Sequence, residues 1–159
     1  MKEIVESFYD SFKRKDAEGM IIHYHPEIVF SDPAFGELRG TRVMNMWKML
    51  CERGHDLQIQ YRIIQIDESN SEVWVRWDAE YTFSKTGRKI YNSVESDLYF
   101  EGDKIVRHID TFNIKNWAGQ ALGLRGKLLG NTRYFKKKLR QQFNQILDRY
   151  IEKKNTSGD

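Results

Sequence analysis

Val73-Trp74-Val75-Arg76-Trp77-Asp78-Ala79-Glu80-Tyr81-Thr82-Phe83 decides the fold of this chain. Val73, Val75, Trp77, Ala79, Tyr81 and Phe83 alternate with Trp74, Arg76, Asp78, Glu80 and Thr82. A side-chain period of two belongs to a β-strand with one face on a core. Upstream, Leu57, Ile59, Tyr61 and Ile63 alternate in the same way, and Asp67-Glu68-Ser69-Asn70 supplies a turn. Downstream, a turn around Thr86-Gly87 leads to Ile90, Asn92, Val94, Ser96, Leu98 and Phe100. Glu101-Gly102-Asp103-Lys104 then turns into a last strand from Ile105 to Ile114. The pattern predicts an antiparallel meander. Strands of this length require a sheet that coils strongly or bends.

On the amino-terminal side the period changes to that of a helix. Ile4, Val5, Phe8 and Phe12 recur at helical spacing, and Lys15-Asp16-Ala17-Glu18-Gly19 interrupts them, with Asp16 placed to cap a second short helix. Met20, Ile21 and Tyr24 continue its apolar face up to His25-Pro26. A short strand, Ile28-Val29-Phe30, ends at Asp32-Pro33. Gly36 and Gly40 mark a loop, after which Thr41 is placed to cap a helix carrying Val43, Met44, Trp47, Leu50 and Cys51 on one stripe and ending near Gly54. Beyond Asn116 the chain turns helical again. Gly119, Gly123, Gly126 and Gly130 punctuate a first part, and Leu139, Phe143, Ile146, Leu147, Tyr150 and Ile151 give a second part its apolar face. The expected organisation is one domain over 1–159, with a core at 1–117, a helical extension at 118–153 and frayed residues at 154–159.

Composition narrows the function classes. At 159 residues, 40% hydrophobic and 31% charged, the chain has the profile of one soluble globular domain. No apolar run approaches the ~20 residues that span a bilayer, and the acidic, amphipathic start reads as a helix rather than a signal peptide. Cys51 is the single cysteine, which excludes an internal disulfide and favours a reducing, cytoplasmic setting. A net charge of +3 is too small to argue for nucleic acid.

Helices followed by a long meander give an α+β fold, a curved sheet with helices closing its concave side. Parity along each strand then selects the inward side chains. Trp77, Tyr81 and Phe83 face the helices. On the last strand Val106, His108, Asp110 and Phe112 share one side, and Phe112, the large apolar residue nearest the closing helix, turns that side inward. With Asp32 this places two carboxylates and an imidazole before one apolar hollow. Aromatic walls raise a carboxyl pKa, and histidine titrates near neutrality, so the set suits proton transfer. Asp32 is read as the base or proton relay, His108 as acid or donor, and Asp110 as the group that orients His108. Two steps along a strand separate Cα atoms by about 6 to 7 Å, so His108 and Asp110 are expected to meet through water or extended rotamers. The expected lining is Tyr9, Tyr24, Trp47, Trp77, Tyr81, Asn92, Ser96 and Phe112.

Phe8-Tyr9 with Phe12, Asp16-Ala17-Glu18-Gly19-Met20, Phe30-Ser31-Asp32-Pro33, Leu38-Arg39-Gly40 and Ile105-Val106-Arg107-His108-Ile109-Asp110 resemble the nuclear transport factor 2-like superfamily, best its SnoaL-like and ketosteroid isomerase-like branch. The similarity spans roughly residues 4 to 117. Phe30 to Gly36 and Trp117 to Gly123 resemble a bacterial subfamily within it. The resemblance implies a cystatin-like cone: a strongly bent antiparallel sheet wrapped around the N-terminal helices, here with an added C-terminal helical tail. It also implies a deep pocket and, in many members, a homodimer through the outer sheet face. Members include isomerases, polyketide cyclases, dehydratases, epoxide hydrolases and binding modules without catalysis, so fold alone does not fix function. Asp32 matches the proton-shuttling acid of the steroid isomerases. Their oxyanion tyrosine falls at Phe8 and their protonated acid at Ser96, with Asp97 on the opposite face, so steroid isomerisation is not expected. The His108–Asp110 side resembles the cyclases and dehydratases. The expectation is a small-molecule-binding protein, either a cofactor-free acid–base enzyme of isomerase, cyclase or dehydratase type or a non-catalytic binding or interaction module.

Each chemical assignment has a structural competitor. Asp32 before Pro33 is also a turn former. His108 also reads as an interior histidine bonded to Tyr81 or Asp32, Asp110 as a partner of Arg107 or Arg76, and Trp47, Trp77 and Tyr81 as core. His23 and His25 lack the spacing of a helical metal pair, and no metal is expected. Lys136-Lys137-Lys138 is read as the solvated face of a helix packed on its own domain, with neither nucleic acid nor membrane as partner. The outer face, with Trp74, Arg76, Tyr91, Glu95, Asp97, Tyr99 and Arg107, suits either a wet homodimer surface or plain solvent.

Overall fold

The alternating run around Trp77 forms β4 (Glu72–Phe83), held between β3 (Gln58–Asp67) and β5 (Arg88–Glu101), with β6 (Lys104–Thr111) next in the meander. These assignments come from a computed structural model that describes residues 1–157. Before the meander lie α1 (Lys2–Lys13), α2 (Ala17–Ile21), β1 (Tyr24–Asp32), β2 (Gly36–Arg39) and α3 (Thr41–Arg53). After it come α4 (Ile114–Leu122), α5 (Leu124–Leu129) and α6 (Arg133–Ser157). The six strands make one sheet in the order β2-β1-β6-β5-β4-β3. Every pairing is antiparallel except β1 with β6, where Phe30 lies beside His108 and Ser31 beside Ile109. That parallel pair brings the Asp32 strand end alongside Asp110.

The helices cover the inner face. Val5, Phe8, Tyr9 and Phe12 of α1 and Val43, Met46 and Trp47 of α3 are buried against Val73, Val75, Trp77, Val94, Leu98 and Ile105 of the sheet. Each such side chain contributes about 1.5 to 3 kcal/mol on burial. This apolar inner layer sets the curvature and leaves Trp74, Tyr91 and Arg107 outside. Asp16 caps α2 as expected, accepting from Gly19 N at 2.9 Å.

Local readings differ in several places. Tyr24 opens β1 instead of closing α2, because the chain turns at Ile22-His23 and the Ile105 N–H bonds the His23 carbonyl. Gly36–Arg39 pairs with β1 as a hairpin strand where a loop was expected. Gly40, with a φ of +50°, is the residue before α3, so Thr41 is the first helical residue and makes no cap. The last strand stops at Thr111, since Asn113 caps α4 by accepting from Asn116 N at 3.0 Å; Phe112 therefore lies past the strand, half-buried. Val106 is an inserted residue, because Tyr99 pairs with Arg107 and Phe100 with Ile105. The bulge puts Ile105 inside and takes Val106 off the His108 side. Finally, α6 continues through Ser157, and Lys154 pairs with Glu52 at 3.2 Å, where fraying was expected; Gly158 and Asp159 lie outside the described residues.

The helical extension packs on the rest of the chain. The boundary expected after residue 117 falls inside α4. Leu139, Leu147 and Tyr150 of α6 are buried. Arg42 of α3 donates to Asp148 at 2.7 Å and to Asn144 at 3.0 Å, and Tyr150 donates to Glu52 at 2.6 Å.

Candidate active site

His108 has no exposure at all and Asp110 only 5%. Parity therefore turns both inward, and what surrounds them is tightly occupied. The imidazole stacks on Trp47 at 6.0 Å and meets Phe30 and Phe8 edge-on at 5.2 and 5.8 Å. At this depth the expected apolar cup is filled by the chain's own side chains.

The polar atoms in that core form one chain. Trp47 Nε1 donates to the Tyr24 hydroxyl at 2.9 Å, and the Tyr24 hydroxyl meets His108 Nδ1 at 2.7 Å. His108 Nε2 meets Asp110 Oδ1 at 2.8 Å. From the other side Trp77 Nε1 donates to Ser96 Oγ at 2.8 Å, and Ser96 Oγ donates to the same Asp110 oxygen. The polarity follows from the ends. Each indole can only donate, so the Tyr24 and Ser96 hydroxyl protons are free to pass inward. In the order that uses every proton, Tyr24 donates to Nδ1 and Nε2–H donates to Asp110. Both arms converge on one carboxylate oxygen. The direct His108–Asp110 contact replaces the water-mediated one expected from strand spacing: both side chains lean inward, and Ser96, paired with Asp110 across β5 and β6, fixes the carboxylate between them. His108 is indeed a satisfied interior histidine, but through Tyr24 and Asp110 rather than Tyr81 or Asp32. Asp110 pairs with neither Arg107 nor Arg76.

Burial holds the Tyr24 and Tyr9 protons well beyond the ordinary tyrosine range, with the Asp110 charge as the next cause for each. The Tyr9 hydroxyl lies near Ser96 and Asp110 yet meets no well-formed hydrogen-bond partner.

Asp32 occupies the rim. Its Oδ1 accepts from Phe35 N at 2.5 Å, and the Ala34 and Gly36 N–H groups also face the carboxylate. It is thus the turn former that Asp-Pro suggests. It is also an unusual acid. Burial is the largest cause that pushes its pKa up to about 7; the turn N–H groups oppose the shift, and the nearby Asp110 charge adds to it. Tyr81, half-buried, is raised in turn by burial, with the Asp32 charge contributing. Its hydroxyl accepts from Trp117 Nε1 at 2.8 Å. Trp117 packs on Phe143 at 6.0 Å, and Phe143 on Phe35 at 5.2 Å. Phe35, Phe143, Trp117 and Tyr81 thus frame the rim. Asn144 Nδ2 ties α6 to the same turn, donating to the Phe35 carbonyl at 2.8 Å.

The expected site residues therefore fall into two groups. Tyr9, Tyr24, Trp47, Trp77, Ser96, His108 and Asp110 form the interior. Asp32, Tyr81, Asn92 and Phe112 are half-buried, with Asn92 on the inward side of β5 opposite Ala79. Trp117 and Phe143 were not foreseen as part of the frame. Phe143 was legible only as one residue of an apolar helical stripe, and Trp117 only as the start of a stretch that resembles a bacterial subfamily.

The model of the SnoaL-like domain matches residues 5–108. Among solved structures, a protein of Xanthomonas campestris pv. campestris, provisionally described as a polyketide cyclase, superposes with a TM-score of 0.62 at 16% identity, covering 76% of this chain and 95% of its own. A provisionally described isomerase from Bacillus subtilis gives 0.65 at 17% identity, covering 76% and 91%. A LEH-like epoxide hydrolase from M. tuberculosis gives 0.59 at 16% identity, covering 80% and 91%. At such identities the likeness concerns the cone fold. No curated protein matches the chain.

Proposed function

Since the chain belongs to the SnoaL-like domain family, whose fold serves ligand binding and catalysis, we propose that it binds a small, largely apolar molecule at the rim and moves a proton on it with Asp32. The observation that carries this reading is the position of Asp32: half-buried, bonded by Phe35 N, and within electrostatic reach of both Tyr81 and Asp110, where two hydrogen-bonded arms end. A carboxyl that titrates near neutrality exchanges its proton readily in either direction. The Tyr81 hydroxyl accepts from Trp117 and keeps its own proton to donate to a substrate oxygen. Burial sets the proton affinity of Asp32, the turn N–H groups oppose it and the Asp110 charge adds to it; His108 and Ser96 hold the Asp110 carboxylate in place, which makes them positioning groups. The reaction class is isomerisation, cyclisation or dehydration by proton abstraction beside a carbonyl.

Deuterium exchange at the α-carbon of apolar enolisable ketones in D2O, followed by NMR, tests this. The protein should speed exchange above the buffer rate, with the rate rising as pH passes through about 7, and Asp32→Asn should not. Equal rates for the two proteins would overturn the reading.

The bonding of His108 and Asp110 to the chain's own groups favours a second reading, a binding module without catalysis. Ligand retention on native mass spectrometry without any exchange activity would support it. A homodimer through the outer face also belongs to the proposal: Trp74 and Tyr91 are 37% and 62% exposed there, more aromatic surface than a solvated sheet face needs.

A further inference from the structure

From Thr111 to Leu147 the chain carries no acidic residue. Lys115, Arg125, Lys127, Arg133, Lys136, Lys137, Lys138 and Arg140 fall there, eight of the 26 Lys and Arg, and none of the 23 Asp and Glu. The rest of the chain is therefore net acidic, a charge asymmetry hidden by the overall +3. This segment folds as α4, α5 and the first half of α6.

The same segment carries the three most exposed large apolar side chains among the described residues: Leu124 and Leu128, each 79% exposed, and Tyr134 at 72%. Leu129 follows at 54%. Leu124 and Leu128, four apart on α5, stand on one side of it. Beside Leu124 a groove of about 710 Å³ is lined by Arg88, Lys115 and Lys127, with amide groups of Asn113, Asn116 and Gln120 between them and no acid. Gly123 shapes its wall. At a φ of +67° it makes the sharp α4–α5 corner, and the Arg88 guanidinium lies so close that an added Cβ would stand 3.0 Å from it.

Three occupants can be weighed on this face. A second copy paired through the same face would set cations against cations. Nucleic acid would satisfy the charge, but single strands are gripped by successive stacking aromatics, and among the large exposed side chains here only Tyr134 is aromatic, with Lys138 over its ring. An anionic bilayer satisfies both features, since headgroups take the Lys and Arg while the acyl boundary takes the leucines. We propose that the α4–α5 corner and the start of α6 seat the protein on an anionic lipid surface, with a headgroup in the Arg88–Lys115–Lys127 groove and Leu124 and Leu128 dipped into the acyl boundary. Among the described residues no helix is long and apolar enough to cross a membrane, and the contact proposed is a peripheral one. The sequence pattern assigned the basic face of α6 to solvent, and it does lie on the surface; the bare leucines of α5 beside the cationic groove give that surface a second use. The proposal does not depend on proton transfer at Asp32.

Flotation of the full chain with phosphatidylcholine vesicles, alone and mixed with phosphatidylserine, tests it. Partition into the mixed vesicles should exceed that into neutral ones by at least about tenfold and fall with added salt. The Leu124→Ser, Leu128→Ser double variant should lose about tenfold or more, and Lys136→Gln, Lys137→Gln, Lys138→Gln together about a hundredfold. All five positions are exposed or half-buried on the surface. Equal partition into both vesicle types, or a leucine variant that binds like the parent, overturns the proposal. So does displacement by inorganic phosphate alone, self-association through this face without vesicles, or tighter binding to single-stranded RNA than to vesicles.

Discussion

Asp32 accepts from the backbone of its own turn and still keeps its proton to about pH 7, because burial outweighs those N–H groups and Asp110 adds to it. The consequence for stability has a definite sign. An unfolded aspartate releases its proton near 3.8, so between that value and about 7 the folded protein binds more protons than the unfolded chain, and stability falls as pH rises. The loss is complete above about pH 7 and amounts to about 4 kcal/mol at most. Asp32→Asn should therefore unfold like the parent at pH 4 and at a higher temperature at pH 8, as read by calorimetry. A gap that stays constant with pH would contradict this. Tyr24→Phe removes the hydroxyl joining Trp47 to His108 and leaves two buried ring nitrogens unpaired. It should cost about 2 to 3 kcal/mol in urea unfolding. Asp110→Asn, which sets an amide among converging donors, should cost about 3 kcal/mol or more.

At the scale of elements, strand identity was legible because one face of each strand meets the core, so the alternation over Val73–Phe83 and Ile90–Phe100 had to survive in the sequence. The inward turn of His108 and Asp110 followed from the same parity. The Val106 bulge did not, since an inserted residue looks like any other until its partner strand is known. Tyr24 was misplaced for a related reason: Met20, Ile21 and Tyr24 fit a helical stripe, and only the pairing of His23 with Ile105 pulls the chain into a strand. The Phe143–Trp117 frame depends on contacts between distant segments that no local period encodes. The packing of α5 on α4 is a further such contact. A Cβ on Gly126 would overlap the Ala118 carbonyl, so Gly126→Ala should destabilise the α4–α5 corner by about 1 to 3 kcal/mol, with early amide exchange confined to α4 and α5 as the readout.

For the whole molecule, the cone places its chemistry at the rim and its permanent hydrogen bonds in the core, while a helical tail beyond the matched domain holds the rim turn through Asn144 and the α3 surface through Arg42, Asp148, Tyr150 and Glu52. The outer sheet face leads to one prediction at this scale. Gel filtration with light scattering at micromolar concentration should give a dimer, and Tyr91→Glu a monomer; a monomeric parent would contradict it. The account as a whole turns on the acid at the rim. Carboxyl carbon NMR titration of the folded protein, with Asp32→Asn to assign the resonance, should show Asp32 exchanging its proton near pH 7. A midpoint near 4 would mean an ordinary turn aspartate, and the case for proton transfer at this site would fall with it.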